Sequence, residues 1–449
     1  VVVIGGGAAG RNASMWLATR GKRVALIEKT ALGGECALSR CSLIDFLAHQ
    51  ALNMELFKEY GIEPPTFKQI KDVYIRKRDV ILRKIQQETE KSGVEVIYGT
   101  AKIIDGNSIR IGNSEISGEY ILIATGSRPC VPPVEGIDLK GVYTYKEIIQ
   151  IDKIPERLVV VGGGTTGASY AYIFQVFGSD VVIIEQQEFL RELDSDIRAI
   201  LMDEYKRKGI KILENSNLKQ IKGGKRVEEV VIQLKDETIE LKADGLIFST
   251  GLVPNSELAK GIVDIGRNSE IIVDKMMKTS NETIYAAGDV VGPPYLTPVA
   301  RLEGLTAAQN IAGKNVTMDY SYIPQNVFAM YNVSYIDESR GNEHEFLFLS
   351  GRGDHFILPS REILLCLNRD RIGRLIKLKY DPVSLEIRAI YIVNFSEKSN
   401  VQYLAHMMKS GLTLKELANI IEIYPQNDWL PQTARKVCEA YEMGNNRHY

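Results

Sequence analysis

Short apolar runs that end in glycine dominate the pattern of this chain. Val1-Val2-Val3-Ile4 leads into Gly5-Gly6-Gly7-Ala8-Ala9-Gly10, a helical stretch follows to about Arg20, and the strand Arg23–Ile27 ends in the acid Glu28. The same order returns mid-chain. Leu158–Val161 leads into Gly162-Gly163-Gly164-Thr165-Thr166-Gly167, a helix follows, and Asp180–Ile184 ends in Glu185. Continuous apolar runs bounded by turn residues are the mark of strands covered on both faces. Two such βαβ units predict an α/β fold with parallel sheets and helices on their faces. Between them residues 44–92 read as helical, with Ile70, Val73, Ile81 and Ile85 at near-helical spacing. Lys91-Ser92-Gly93 breaks that pattern before a strand at Val94–Tyr98. Residues 151–157 read as a linker into the second unit. Past about residue 322, strand-like runs at Phe346–Leu349, Ile363–Leu367 and Ile387–Val393 precede a helical tail from about Asn400, the order of a separate α+β domain.

Composition narrows the class. The 449 residues correspond to about three domains at roughly 150 residues each. With 45% hydrophobic and 25% charged residues the chain can bury sizeable cores, which excludes wholesale disorder. A formal charge of −2 argues against nucleic-acid binding through bulk charge. No apolar run approaches the ~18 residues of a membrane span. The chain opens without Met, so a few native residues are expected to precede it. No signal peptide is visible, and a cytoplasmic location is expected.

Each Gly-x-Gly-x-x-Gly has a mechanical reading. Gly5 and Gly162 make the strand-to-helix turn, Gly7 and Gly164 let a pyrophosphate approach the backbone, and Gly10 and Gly167 let the helix pack on its strand. Glu28 and Glu185 each lie 18 residues beyond the last glycine, placed to bind ribose hydroxyls. A lone motif is weak, but two strand-flanked copies, each with its acid, point to two dinucleotide sites. A carboxylate at 185 repels a 2′-phosphate, which favours NADH over NADPH. Arg191, the one nearby basic residue, reads as a solvated surface charge.

Of five cysteines, Cys36 and Cys41 lie close together, directly after the first βαβ unit. Four intervening residues exceed the usual zinc-knuckle spacing and no second Cys/His pair accompanies them, so no metal site is expected. Two readings remain: a pair of buried thiols, or a disulfide exchanging electrons with the dinucleotide site beside it.

The segment Gly33-Gly34-Glu35-Cys36-Ala37-Leu38-Ser39-Arg40-Cys41 resembles the redox segment of the FAD-dependent pyridine nucleotide–disulfide oxidoreductases, the family of dihydrolipoamide dehydrogenase, glutathione reductase and mercuric reductase. Ala124-Thr125-Gly126-Ser127-Arg128-Pro129, Gly251-Leu252-Val253-Pro254-Asn255, Thr279–Asp289 with its Ala286-Ala287-Gly288-Asp289 ending, and Leu296–Ala300 are similar to further family segments in the same order. The resemblance implies two Rossmann-like dinucleotide-binding domains and a C-terminal α+β interface domain that dimerises the chain. The boundaries expected are 1–150 and 269–321 for FAD, 151–268 for NAD and 322–449 for the interface. It implies FAD contacts at Gly5, Gly7, Gly10, Glu28, Lys29, Gly34, Ala101, Thr125, Gly126, Gly288, Asp289 and Thr297. Gly162, Gly164, Gly167, Glu185 and Gly251 would line the NAD site. Cys41 would lie against the flavin as its charge-transfer thiolate, and Cys36 would face substrate. Hydride would pass from NADH to flavin, and electrons on to a Cys36–Cys41 disulfide and an acceptor.

Three departures bear on chemistry. The family's Lys four residues after the second cysteine is Asp45 here, and the Glu that pairs with it is Ser169. The two have gone together, and a lone buried charge would cost about 3–5 kcal/mol. The flavin is therefore expected to lack a nearby cation. In the tail, Tyr424 stands where the family has its catalytic His, and Trp429 where it has the Glu that orients it. A Tyr with a pKa near ~10 is a poor base at neutral pH. The other histidines match no catalytic position, His406 reads as a packed core residue on an apolar helix, and Cys130, Cys366 and Cys438 read as thiols without a redox role. The expected activity is an NADH-dependent disulfide reductase acting on a small-molecule or protein disulfide. An NADH oxidase or quinone/metal-ion reductase is the alternative, and a flavin-bound sensor with little turnover the third reading.

Overall fold

The computed structural model describes residues 1–328, 330–350, 374–394, 401–421 and 430–442. Strand β1 (Val2–Ile4), helix α1 (Ala8–Ala18) and strand β2 (Ala25–Glu28) form the first βαβ unit, and β1 pairs parallel with both β2 and Ile121–Ile123. The five-stranded parallel sheet runs Ile284–Ala286, Ile121–Ile123, β1, β2, then β3 (Glu95–Tyr98). Its first edge strand thus comes from chain beyond the second glycine motif, and the polypeptide leaves this sheet and returns to it. The order reverses at β1, and ligands in open α/β sheets bind at the carboxyl ends of strands beside such a point.

The second sheet is built the same way. Its order is Lys211–Leu213, Asp180–Ile184, Arg157–Val161, Gly245–Phe248 and Val142–Tyr143, all parallel. The two glycine turns share their close contacts: a Cβ on Gly10 would fall 2.0 Å from the Gly5 carbonyl oxygen, and one on Gly167 1.8 Å from that of Gly162. Only glycine permits helix and strand to approach this closely.

Helix α2 (Gly34–Leu38) and helix α3 (Cys41–Glu59) follow β2, and a break at 60–66 separates α3 from helix α4 (Phe67–Lys91). The helical reading of 44–92 therefore divides in two at Gly61, which has φ +66°, and a capping box at Thr66 and Gln69 restarts the helix. On α4, Ile70 is buried but Ile81 is 51% exposed, so the apolar face is narrower than its spacing implied. Helix α5 (Thr165–Val176) is almost wholly buried, helix α6 (Ser195–Arg207) covers the second sheet, and helix α7 (Thr297–Ile311) packs on α1. A Cβ on Gly304 would lie 2.3 Å from the Ala9 carbonyl oxygen, which explains a glycine inside α7.

The C-terminal part carries an antiparallel sheet ordered Gln325–Phe328, Asn332–Asp337, Ile387–Asn394, Arg374–Tyr380 and His344–Ser350, with helices Val401–Lys409, Leu414–Ala418 and Leu430–Glu442. Two of the three expected strand runs lie in it; Ile363–Leu367 falls outside the described residues. His406 is exposed, while Ala405 and Met408 face the core, so it is no packed core histidine. Among the described residues no helix is long and apolar enough to cross a membrane.

One buried charge cluster pins this sheet to the second unit. Lys377, 1% exposed, pairs with Asp194 at 2.8 Å, Asp196 at 2.7 Å and Glu345 at 2.8 Å, and Lys379 also reaches Asp194 at 2.8 Å. The lysines hold the Asp194 carboxyl below its ordinary range even though burial opposes this. Lys377→Ala leaves Asp194 with Lys379 alone and removes its charge-assisted hydrogen bonds, so it is expected to destabilise the fold by about 1–3 kcal/mol, read as a lower denaturant midpoint, while Lys153→Ala at an exposed pair leaves the midpoint unchanged.

Candidate active site

A cavity of about 590 Å³ opens at the carboxyl ends of β1 and β2. Gly5, Gly7, Glu28, Lys29, Gly34, Ala101, Thr125, Gly126, Gly288, Asp289 and Thr297 line it, together with Cys36, Arg40 and Cys41. Gly10 lies behind the turn, packed against Gly5 and Ala124. Residues separated by more than 250 positions thus meet around one space because the chain returns to the first sheet.

Its walls fit an extended dinucleotide. Gly34, at φ +65°, packs so closely that a Cβ would lie 2.8 Å from Gly7 Cα, whereas Gly7 itself meets nothing nearer than 3.8 Å and leaves backbone open to a phosphate. Helix α1 has no side-chain cap, so its N-terminal partial charge is available to an anion. Glu28 accepts the Gly6 N–H at 2.8 Å and the Thr30 N–H at 2.8 Å, which fixes its carboxylate at the end of β2. These residues fit FAD.

The cysteines stand at the other end. Cys36 lies in α2 and Cys41 is the first residue of α3. Both are free thiols, the reduced state of the expected disulfide. Cys41 Sγ lies 3.8 Å from Thr297 Oγ1. The hydrogen bond from Cys41 is the main cause that brings the Cys36 thiol down to about 6, against burial, with further help from Thr297, Arg40 and Arg301. The same hydrogen bond, then burial, pushes Cys41 up, although the N-terminus of α3 and Arg40 favour an anion there. The pair therefore gives up its first proton more readily than two separate thiols would, because the remaining thiol hydrogen-bonds the thiolate.

Arg40 is held in place. Its Nη1 donates to Asp289 Oδ2 at 3.1 Å, and Ser127 Oγ donates to the same oxygen at 2.6 Å. Buried Glu303 accepts the Gly288 N–H at 2.7 Å and the Tyr320 hydroxyl at 2.7 Å, fixing the loop that carries Asp289. The positive charge that acts on the thiols sits on Arg40, one residue before Cys41; the expectation about the flavin concerned position 45, where no cation stands. Asp45 keeps 37% of its side chain exposed beside His49, and Ser169 donates to the Thr165 carbonyl at 2.7 Å, so neither departure leaves a stranded charge.

Sequence reasoning missed Arg301, Tyr145 and Glu303. Arg301 lies four residues after Thr297 on α7, one helical turn along the same face, and that spacing was a readable signal. The NAD set lies apart from this cavity. Gly162, Gly164 and Gly167 form the second glycine turn, and Glu185 accepts the Gly163 N–H at 2.5 Å and the Gln187 N–H at 2.8 Å, as Glu28 does in the first unit. Gly251, at φ +97°, follows the strand Gly245–Phe248, and its carbonyl accepts the Cys130 N–H. Arg191 is exposed and donates to Gln187. Tyr424 and Trp429 lie outside the described residues.

Residues 1–304 match the family model described as pyridine nucleotide-disulphide oxidoreductase. The chain is 26% identical over 441 residues to a mercuric reductase of Lysinibacillus sphaericus, covering 94% of this chain and 80% of that protein. It is 29% identical over 468 residues to a dihydrolipoyl dehydrogenase of Haloferax volcanii, covering 98% and 95%. Among solved structures, the HOCl-induced flavoprotein disulfide reductase RclA from Escherichia coli superposes with a TM-score of 0.84 at 23% identity, over 97% of this chain and 98% of that one, a likeness of fold.

The readily lost first proton makes a pH-dependent prediction. Alkylation of reduced Cys36, followed by peptide mass spectrometry, is expected to rise with a midpoint near pH 6. Because Arg40 stabilises the thiolate, Arg40→Gln should move that midpoint upward. An unmoved midpoint would show that the guanidinium does not act on the thiol.

Proposed function

Because the chain belongs to the pyridine nucleotide-disulphide oxidoreductase family, we propose that it is an NADH-dependent reductase whose Cys36–Cys41 pair delivers electrons to a disulfide or another thiol-reactive acceptor. The observation that carries this reading is the pair of hydrogen-bonded thiols at the end of the cavity, beside Arg40. FAD supplies the exchange of a hydride from the nicotinamide for an electron pair given to the cysteines. Residues 1–150 and 269–321 are assigned to its binding, 151–268 to NADH, and 322–449 to the interface of a homodimer.

The residues then act as follows. The Cys36 thiolate attacks one sulfur of the acceptor, forming a mixed disulfide and releasing one thiolate. Cys41 Sγ attacks Cys36 Sγ, the Cys36–Cys41 disulfide forms, and the second acceptor sulfur leaves. The proton held on Cys41 goes to a departing thiolate, so a disulfide and a dithiol give a disulfide and two reduced sulfurs in balance. Arg40 holds the anion on the pair, Thr297 hydrogen-bonds it, and Asp289 holds Arg40.

Nicotinamide preference follows from Glu185, whose carboxylate is fixed at the end of its strand by Gly163 and Gln187. NADH is expected to give the higher kcat/KM with any acceptor. Glu185→Ser should narrow the margin over NADPH by relieving repulsion of the 2′-phosphate. A wild type that favours NADPH would overturn the role of Glu185. Screening disulfides, quinones, metal ions and oxygen with NADH separates the reductase reading from direct reaction of the flavin. Loss of turnover in Cys36→Ser supports the former, and full retention the latter.

The direction of reaction follows from Tyr424. Oxidation of a dithiol substrate needs a base, and loss of a positioned base typically costs ~10²–10⁴-fold. Dihydrolipoamide:NAD⁺ activity is therefore expected to be weak and to rise in Tyr424→His, measured at neutral pH. Strong wild-type activity, unchanged in Tyr424→Phe, would place the base elsewhere.

A further inference from the structure

The two glycine turns match in strand order, helix, close contacts and terminal acid, and they differ at one point. Both helices open on a glycine, Gly7 and Gly164, that offers no side-chain cap of its own. On α5, Thr165 is the first helical residue, and its N–H donates to Glu192 Oε1 at 2.8 Å. A carboxylate of the chain itself thus stands where the helix N-terminus would receive a phosphate. A Cβ on Gly164 would also meet Glu192 Oε1, at 3.4 Å, so the same oxygen covers the middle glycine of the motif.

The loop that carries Glu192 is anchored. Phe189 and Leu190 are fully buried, the Leu190 N–H donates to the Gly163 carbonyl at 2.9 Å, and the Phe189 N–H donates to Glu214 Oε1 at 2.7 Å. Leu190 takes φ +51°, an uncommon backbone for leucine, and the turn brings residue 192 back over the helix end. Glu192 itself is exposed and can swing away without opening the core.

We propose that Glu192 is a carboxylate latch on the nicotinamide-dinucleotide site, a residue that must give up the Thr165 N–H before a pyrophosphate can seat. The proposal rests on the reading of this unit as the NADH site. A carboxylate and a phosphate oxygen cannot both take the one N–H, and their like charges repel. Glu185 adds a second anion on the same turn through Gly163, and Arg191 is turned to Gln187. The latch satisfies an orphan donor when no nucleotide is bound and lowers affinity for the nucleotide by the interaction it must surrender. Release of oxidised nucleotide is assisted in turn, because Glu192 stands ready to recapture the helix end.

The test is calorimetric titration of the oxidised holoenzyme with ADP-ribose, which carries the pyrophosphate and both riboses but no hydride. Glu192→Ala is expected to lower Kd by roughly three- to tenfold, the range of a charged group at a helix end. Glu192→Gln keeps an acceptor for Thr165 but loses the charge, and should fall between Glu192→Ala and wild type. Glu188→Gln removes one charge from the same loop, where Glu188 pairs with Arg198, and should leave Kd unchanged. Unchanged or weaker binding in Glu192→Ala overturns the latch, as does equal tightening in Glu188→Gln, which would make the effect one of net charge. If ADP-ribose binds none of these proteins, the nucleotide reading of the unit falls and takes the latch with it. Binding that is firm yet indifferent to residue 192 removes the latch alone.

Discussion

Much of the site depends on the carboxylate of Asp289. One of its oxygens receives Arg40 and Ser127, residues 249 and 162 positions away along the chain. Three segments therefore meet at one atom: the turn between the cysteines, the segment after Ile121–Ile123, and the strand that returns from beyond the second unit. The ion pair is partly solvated, with 23% and 18% of the two side chains exposed, so its energetic worth is modest. Its importance is positional. It aims a fixed guanidinium at two thiols whose proton distribution decides what they do, and Glu303 fixes the loop behind it from a buried position.

The placement of Arg40 gives meaning to the departures from the family pattern. A Lys at position 45 would project from the second turn of α3, and a Glu at 169 would meet it from α5. Here Asp45 faces outward beside His49, and Ser169 turns back on its own helix. Losing both halves at once avoids an uncompensated buried charge. The positive charge that acts on the sulfurs comes instead from the residue just before α3, where it is balanced by Asp289 rather than by a partner from the second unit. The groups that act on thiol ionisation, Arg40, Thr297 and Arg301, thus come from the segment after β2 and from the helix that follows the returning strand.

The elements of the two βαβ units were legible because each is specified locally: an apolar strand, a glycine turn that admits no Cβ, and an acid at a fixed distance. The redox segment was legible as a motif. The single helix read over 44–92 failed at Gly61 because apolar spacing alone does not register a left-handed residue followed by a fresh cap. His406 was misread because a helix with several apolar residues still has a wet face, and the residue between Ala405 and Met407 lies on it. Tyr145 and Glu303 act through contacts between distant segments, and long-range proximity of that kind leaves no trace in local pattern, whereas Arg301 one turn after Thr297 could have been found from its spacing. Glu192 was passed over for a related reason. It is one acid in a charged loop, and only the buried Leu190 turn shows where its carboxylate is delivered.

The direction of the chemistry follows from where protons are held. Among the described residues that line the cavity none is a histidine, and the position that carries the family's base is Tyr424. On the proposed reading, a dithiol substrate must lose a proton before its sulfur can attack, a task for which a tyrosine with a pKa near ~10 is ill suited. A disulfide substrate makes no such demand. A thiol pair that has given up one proton carries one negative charge and one proton, and these are what a disulfide needs to leave as one thiolate and one thiol. On the proposed reading, the two thiols hold between them the components for reduction of a disulfide. The proposed direction, reduction of an acceptor, rests on that difference in proton demand between a disulfide and a dithiol.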